Sequence, residues 1–591
     1  MKKVMYLLMC LAFMVAMTAM QGCSTTDDDN DAWGYYNPAG DAPGGNNMGG
    51  GMASDGNSEL TTFTVSIDKD TAEPQTAVAE FFPDEEDNLE NNSFTTEVKI
   101  VFSDGSASYD TTEGVTITAN GAHVVADHGS AKGICYVVSG STTNGSLTIL
   151  GEKKYELKLN GVDITNPDSA AVNLLSKKRA YIVLAEGTEN RVADGSTPKG
   201  EAQKGAFYAK GKMLFNGTGR LEVYGNCNNG VHCADYIVLR RGSNIYVSST
   251  ANHGIKANDG IYVNGGILNV EVSATAAKGI NCESNIVFNG GRTTIVTTGG
   301  GTFEDGEAKA AAAVKADSTI TVNGGELWLK STGAGGKGLK ADWEIYLNGG
   351  SVYAITEGTK YSANGDTSSP KGIKAGTKNV HGVLEMAGAS VMVRTNGQNG
   401  EGIESKGTLT VSDGTIQVLA YDDAVNSSGN MYVKGGSLTV IGQNSDGLDA
   451  NGNMYISGGT IVAFGASGAE TGIDVGEQYK LYISGGNIFG IGGRNDATLG
   501  STTQGIISAT ASVSANSTVT VSDGTQTLAT LQMPAFNYSS GTMMLSTEGM
   551  QAGSSYTVGL GSTTQTLSAS STLSSDMGGG MGGGGGGPGR R

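Results

Sequence analysis

Proline is nearly missing, with 9 residues in 591, and charged side chains make up only 16 % of the chain. Extended helices and coiled coils are rich in Glu, Lys and Leu, so this composition argues against them. Aromatics are few, at 6 %, but with 38 % hydrophobic residues overall they leave room for a sizeable core. Histidine is rarer still: the five, at 123, 128, 232, 253 and 381, are scattered, with no Ser/His/Asp order and no zinc-ligand spacing. Most catalytic classes therefore find no support. Basic residues are outnumbered, 38 against 58 acidic, and the net charge of -20 repels phosphate backbones, which argues against nucleic acid as a partner. What is abundant is glycine, 93 residues. Gly and Pro together fall short of the ~25–30 % of low-complexity disorder, and no Gly-X-Y period is present. The glycines punctuate a folded chain.

The ends differ from the body. Met1-Lys2-Lys3 followed by the apolar run Val4 to Met20 has the n- and h-regions of a secretory signal. It ends in Met20-Gln21-Gly22-Cys23, which resembles a bacterial lipobox, with Cys23 as the lipid-modified residue; an ordinary signal with a stray Cys is the competing reading. Ser24-Thr25-Thr26-Asp27-Asp28-Asp29 resembles the acidic export signal of Bacteroidota-type lipoproteins, so a surface-exposed outer-membrane lipoprotein, monomeric and touching the membrane only through its lipid, is expected. The expected organisation is a signal peptide over 1–22, a flexible acidic and Gly-rich linker over 23–57, a β-rich N-terminal cap over 58–130, a repeat body over 131–500, a β-rich C-terminal cap over 501–575 and a Gly-rich tail over 576–591. Of the remaining cysteines, Cys227 and Cys233 are close enough in sequence for a small disulfide in an oxidising compartment, while Cys233 and Cys282 also fit an inward, small-residue column.

Within the body one phrase recurs: Gly, aliphatic, polar, small. Examples are Gly254-Ile255-Lys256-Ala257, Gly338-Leu339-Lys340-Ala341, Gly402-Ile403-Glu404-Ser405 and Gly447-Leu448-Asp449-Ala450. The aliphatic anchors fall at 231, 255, 280, 314, 339, 373, 403, 425, 448 and 473. A spacing in the low twenties, stretched by inserts at 302–312, 356–370 and 376–382, is the signature of a solenoid. Each unit holds two alternating runs split by a turn, as in Ile261-Tyr262-Val263-Asn264-Gly265-Gly266, and period-two alternation means strands. No helical period is present in the repeats. The Asn-Gly-Gly turn returns at Asn289, Asn323 and Asn348, so the amides are placed to form a ladder. The fold class is therefore all-β, a parallel β-helix of about a dozen coils with three strands per coil. Glycine is expected at corners with positive φ, and proline is excluded because it removes ladder donors.

The phrase Leu157-Lys158-Leu159-Asn160-Gly161-Val162-Asp163-Ile164-Thr165-Asn166, with Ala171-Val172 and the run Tyr181 to Asn190, resembles the opening of a bacterial carbohydrate-binding β-helix family. That family's repeated phrases are matched at 254–257 and 447–459, and its Met/Gly tail at 577–587. The resemblance implies a right-handed parallel β-helix, akin in fold to pectate lyases, that binds acidic and cellulosic polysaccharides with calcium and is not known for cleaving them.

The repeat register also sets up two charged columns. Residues two before and one after each anchor pair as His253/Lys256, Lys278/Asn281, Lys337/Lys340 and Lys371/Lys374, then change sign to Glu401/Glu404, Asp423/Asn426, Asp446/Asp449 and Thr471/Asp474. Like charges one coil apart, ~4.8 Å, repel, so counter-charges are expected. The acidic residues Glu401, Glu404, Asp423, Asp446, Asp449 and Asp474, with Asp422 and Asn426, are candidate calcium ligands, since Ca²⁺ takes oxygens from each side; Asp and Asn at glycine corners are the competing reading. Lys256, Lys278, Lys337, Lys340, Lys371 and Lys374 would meet the carboxylates of a polyuronate, or else form a solvated face. Trp328 and Tyr353 point outward on adjacent coils, as do Tyr432, Tyr455 and Tyr482 in another column. They fit either sugar stacking or plain β-propensity. Three functions remain: a carbohydrate-binding surface protein, a structural or adhesive rod, and a calcium-dependent uronate lyase using Lys374 beside Glu401 and Glu404. An arginine base for the last is not evident among Arg220, Arg240, Arg241, Arg292 and Arg394.

Overall fold

The alternating runs become strands, three to a coil, in the computed structural model, which describes residues 59–197, 204–495 and 497–573. The coil Lys337–Ala341, Glu344–Leu347 and Ser351–Thr356 is representative. We call these positions the anchor, middle and third faces. Fifteen strands stack in the anchor sheet, and the other two faces merge into one sheet of 27 strands. The result is a β-solenoid of about 15 turns, more than the expected dozen. The difference arises at the N-terminal end, where parallel stacking already begins at Thr96, opposite Ile134. The expected cap over 58–130 thus divides: Thr96–Asp127 belongs to the sheets, and 59–94 is a strap without strands. The signal peptide, the linker, Cys23 and the Gly-rich tail lie outside the described residues.

Anchors stack in register, Val231 on Ile255 on Ile280 and onward to Ile473. None is more than 2 % exposed. Each such aliphatic residue contributes about 1.5–3 kcal/mol by leaving water, and Cys233, Ala257, Cys282 and Ala316 fill the narrower column beside them. Cys233 and Cys227 are free thiols, so the disulfide does not form; Cys233 lies in the core and its thiol donates to the Gly211 carbonyl at 3.2 Å. The Asn ladder is present: Asn289, Asn323 and Asn348 each donate to the Asn Oδ1 of the coil before at 2.9 Å.

Glycine has two distinct jobs. At the Asn-Gly-Gly corner the second glycine is left-handed, as at Gly266 with φ +81°. The anchor-phrase glycine is needed for a different reason than positive φ. A Cβ at Gly338 would stand 2.5 Å from the Gly372 carbonyl oxygen, so only glycine lets successive coils approach there.

Antiparallel strands close both ends. Thr116–Asn120 pairs with Ala122–Asp127 at one, and Tyr538–Ser546 pairs with the last long strand, Leu481–Gly492, at the other, which protects the sheet edges from further pairing.

The strap runs along the rod's flank. Leu60 packs with Met392, Leu419 and Ile441, and Phe63 lies 6.1 Å from the ring of Tyr353. Further on, Phe81 exchanges two 2.8 Å hydrogen bonds with Asn264, capping the Asn ladder. At its far end Asp87 is buried and accepts from Arg179 Nε at 2.8 Å and from the Tyr236 hydroxyl. Four of the five candidate arginines are engaged by it: Arg220 with Asp70, Arg240 with Glu80 and Glu90, Arg241 with the Val78 carbonyl, and Arg394 with the Thr61 carbonyl.

Candidate functional site

The two charged columns exist as registers on the anchor face. His232, Lys256, Asn281, Lys315, Lys340, Lys374, Glu404, Asn426, Asp449 and Asp474 stack one per coil. Their side chains point away from the hydrophobic interior, but half of the column is covered. The hairpin Thr302–Glu304/Glu307–Lys309 and the hairpin Tyr361–Ala363/Asp366–Ser368 fold over the basic half, tied to each other where Asp366 accepts from the Ala308 amide at 2.7 Å.

This corrects the expectation of a lysine face turned to a ligand. Lys337, Lys340, Lys371 and Lys374 are only 1–3 % exposed. Lys337 donates to the Gly335 carbonyl and to the Ser368 hydroxyl of the covering hairpin. Asp342, itself buried, lies 3.0 Å from Lys315 and 3.6 Å from Lys340. Burial, opposed by Asp342 and reinforced by Lys374, brings Lys340 down to about 8. Lys278 is half-buried and bonds the Ala276 carbonyl; burial and the neighbouring Lys315 and Lys337 lower it to about 7. Lys256 is half-buried and paired with Glu283 at 2.8 Å.

Where the sign changes, the columns neutralise each other. Glu401 meets Lys371 at 2.6 Å; Glu404 meets Lys406 at 2.7 Å, Lys374 at 3.4 Å and Lys371 at 3.6 Å. Glu401 and Glu404 are therefore a structural seam, and Lys374 has no open route to a substrate proton as a lyase base would need. Lys406 and Asp342 are the partners that sequence reasoning missed, because each lies one residue beyond the repeating phrase.

Further along the acidic half, amides hold Asp423, Asp446 and Asp449. Asn426 donates to Asp423 and to Asp449, both at 3.1 Å, and Asp423 accepts from the Asp446 amide at 3.0 Å. Burial first, then the Asp423 and Asp474 charges, push Asp446 up to about 8, and Asp449 lies well above the usual carboxylate range for the same causes. Oxygen-only donors suit a hard cation, but among the described residues no three His, Cys, Asp or Glu side chains converge as a ready-made metal cage.

The aromatic candidates stack as expected. Tyr432, Tyr455 and Tyr482 lie face to face at 5.0 and 4.8 Å, and Trp328 on Tyr353 at 3.9 Å. The latter pair is half-buried: Tyr353 meets Phe63 of the strap, and Arg292 lies 4.8 Å over Trp328.

A different aromatic pair is open. Trp343 is 53 % exposed and Tyr479 42 %. The strand registers place Trp343, Gly382, Gly407, Gly429, Gly452 and Tyr479 in one line at the corner between the anchor and middle faces. Five coil steps at ~4.8 Å separate the rings by about 24 Å. Four glycines floor the intervening strip, and His381, Ser428 and Asn451 stand exposed along one side. The signal was legible: Trp343 replaces, after Asp342, the glycine of Lys406-Gly407 and Asn451-Gly452.

A carbohydrate-binding domain-containing protein of Acetivibrio thermocellus is 27 % identical over 158 residues, covering 26 % of this chain and 53 % of its own, so the chain spans about half the length of that relative. A solved structure of a polysaccharide lyase-like protein from C. thermocellum, a gadolinium derivative, aligns over 47 % of this chain and 97 % of its own at 22 % identity and a TM-score of 0.33. The profile of the carbohydrate-binding domain-containing protein family matches residues 111–383 and 381–585, which takes in most of the solenoid and the C-terminal region, and this chain belongs to that family.

Proposed function

We propose that this protein binds a linear acidic polysaccharide along the corner strip, with calcium held by the neighbouring aspartates. The observation that carries the reading is the shared register of the exposed Trp343 and Tyr479 across a glycine floor. Exposed rings stack on the apolar faces of sugars, a side-chain-free floor lets a flat chain lie close, and the polar flank offers hydrogen bonds to hydroxyls. Asp423, Asp446, Asp449 and Asp474 lie on the adjacent face and would hold the ion. Calcium takes 6–8 oxygens, so two carboxylates leave coordination positions for water and for carboxylates of the glycan. Raised carboxylates such as Asp446 favour such a cation, because it relieves their mutual repulsion.

Affinity electrophoresis in polygalacturonate, with and without a chelator, tests both parts. The Trp343→Ala/Tyr479→Ala double variant is expected to migrate as if no glycan were present, and chelation is expected to weaken the wild type. Unchanged retardation of the double variant would remove the strip from the reading, and retardation indifferent to chelation would remove calcium. The same reading has the mature protein as a monomeric lipoprotein on the outer face of the outer membrane. Loss of fatty-acid labelling in Cys23→Ser is the expected check.

A further inference from the structure

Near the N-terminal end of the anchor face, away from the corner strip, a cavity of about 290 Å³ is lined by Lys204, Asn229, His232, Lys256, Asn258 and Glu283, among others. Its hydrogen-bond polarity is fixed by buried groups. Asn229, 3 % exposed, donates its amide to the Lys204 carbonyl at 2.7 Å and to His232 Nδ1 at 3.1 Å. The amide orientation is thereby set, and since Nδ1 accepts, the His232 proton sits on Nε2. Burial, with Lys256 and Lys204 nearby, lowers His232 to about 4, so the ring is neutral at ordinary pH.

This leaves two amide oxygens, Asn229 Oδ1 and Asn258 Oδ1, buried without a hydrogen-bond partner. Buried polar atoms in folded proteins are satisfied by protein, water or ligand. Among the described residues nothing satisfies them, and Asn229 and Asn258 both line the cavity. Among the described residues the charges also fail to balance: Lys256 is paired with Glu283 at 2.8 Å, while the exposed Lys204 has the ring of Tyr208 as its neighbour, at 5.9 Å. Two acceptors for hydroxyl donors, and a surplus ammonium for an anion, meet in a volume close to the ~300 Å³ lower end of small-molecule pockets.

We propose that this cavity is a second carbohydrate site, taking one sugar ring that carries a carboxylate, as a free uronate. That the hydroxylated ligand is a sugar rests on the glycan-binding reading above; the polarity and charge of the pocket stand without it.

Calorimetry and saturation-transfer NMR on the full chain, with galacturonate, glucose and acetate as probes, test this. Galacturonate is expected to bind, with glucose and acetate each at least tenfold weaker. Asn258→Ala and Lys204→Ala, both at positions less enclosed than Asn229, are expected to weaken galacturonate at least tenfold, while Trp343→Ala binds it as the wild type does. No binding of galacturonate to the wild type, acetate binding as well as galacturonate, or both pocket variants binding normally would each overturn the proposal. So would loss of the monosaccharide in Trp343→Ala, which would assign the binding to the strip. Galacturonate binding that depends on Asn258 in a protein whose Trp343→Ala/Tyr479→Ala variant still holds polygalacturonate would keep the pocket and remove the strip.

Discussion

The basic and acidic halves of the anchor face share one backbone, one register and one repeating phrase, yet they are treated oppositely. Over Lys315 to Lys374 the inserted hairpins exclude water, and Asp342, Glu401 and Glu404 supply the counter-charge from within. Over Asp423 to Asp474 the coils are short, no such hairpin intervenes among the described residues, and Asp423, Asp446 and Asp449 accept from amides. A solenoid tolerates a stack of like charges either by bringing its own counter-ions or by leaving the stack for an outside one. The lysines follow the first course, and the proposed calcium site is the second.

The largest test breaks the covered half. Glu404 is buried against three ammonium groups, and removing one partner of a buried pair costs about 3–5 kcal/mol because the other charge is stranded. Glu404→Gln is expected to lose that much in chemical denaturation; a loss under about 1 kcal/mol would mean the seam is wet.

The open half is expected to respond with the other sign. Asp446 is raised to about 8 from an ordinary value near 3.8, so its favourable contribution is complete below that ordinary value and is lost as the pH rises through about 8. In calcium-free buffer Asp446→Asn should therefore gain about 1–2 kcal/mol at pH 8.5 and nothing at pH 4, after discounting for partial solvent access. Thermal melts across pH, with added calcium reducing the gain, check this.

Lys278 gives a smaller effect with the reverse pH course. Its value falls from 10.5 to about 7, so the stability tied to its neutral form is present above 10.5 and is lost as the pH falls through about 7. Lys278→Met is expected to gain under about 1 kcal/mol at pH 6 and nothing above pH 10.5, read by the same melts. If Asp446→Asn and Lys278→Met share a pH slope, the two halves are not electrostatically distinct. The smallest stability effect belongs to Trp343→Ala, within about 0.5 kcal/mol for so exposed a side chain, although its affinity for polygalacturonate should fall at least tenfold in electrophoresis.

Much of the fold is legible in the chain. Alternation at Ile261-Tyr262-Val263 gives strands, Asn264-Gly265-Gly266 gives the corner and its ladder, and the anchors from Val231 to Ile473 give the register, because each is decided by neighbours a few residues away or one period away. Less of the candidate site is legible. Lys337 and Lys374 point outward from the coil, as the pattern requires, but whether an outward side chain meets water depends on what folds over it. The strap is hidden in the sequence for a related reason: 59–94 has no repeat, and its partners, such as Arg240 for Glu80, lie over a hundred residues away.

The sequence alone therefore determined the all-β solenoid, its inward columns and the sign change along its face, since these follow from local geometry repeated many times. The tertiary structure decided which charges are sealed and which are open, recruited four arginines to the strap, and left Trp343 and Tyr479 uncovered. Those outcomes depend on inserts and on contacts between distant coils, where no short-range pattern records which segment covers which.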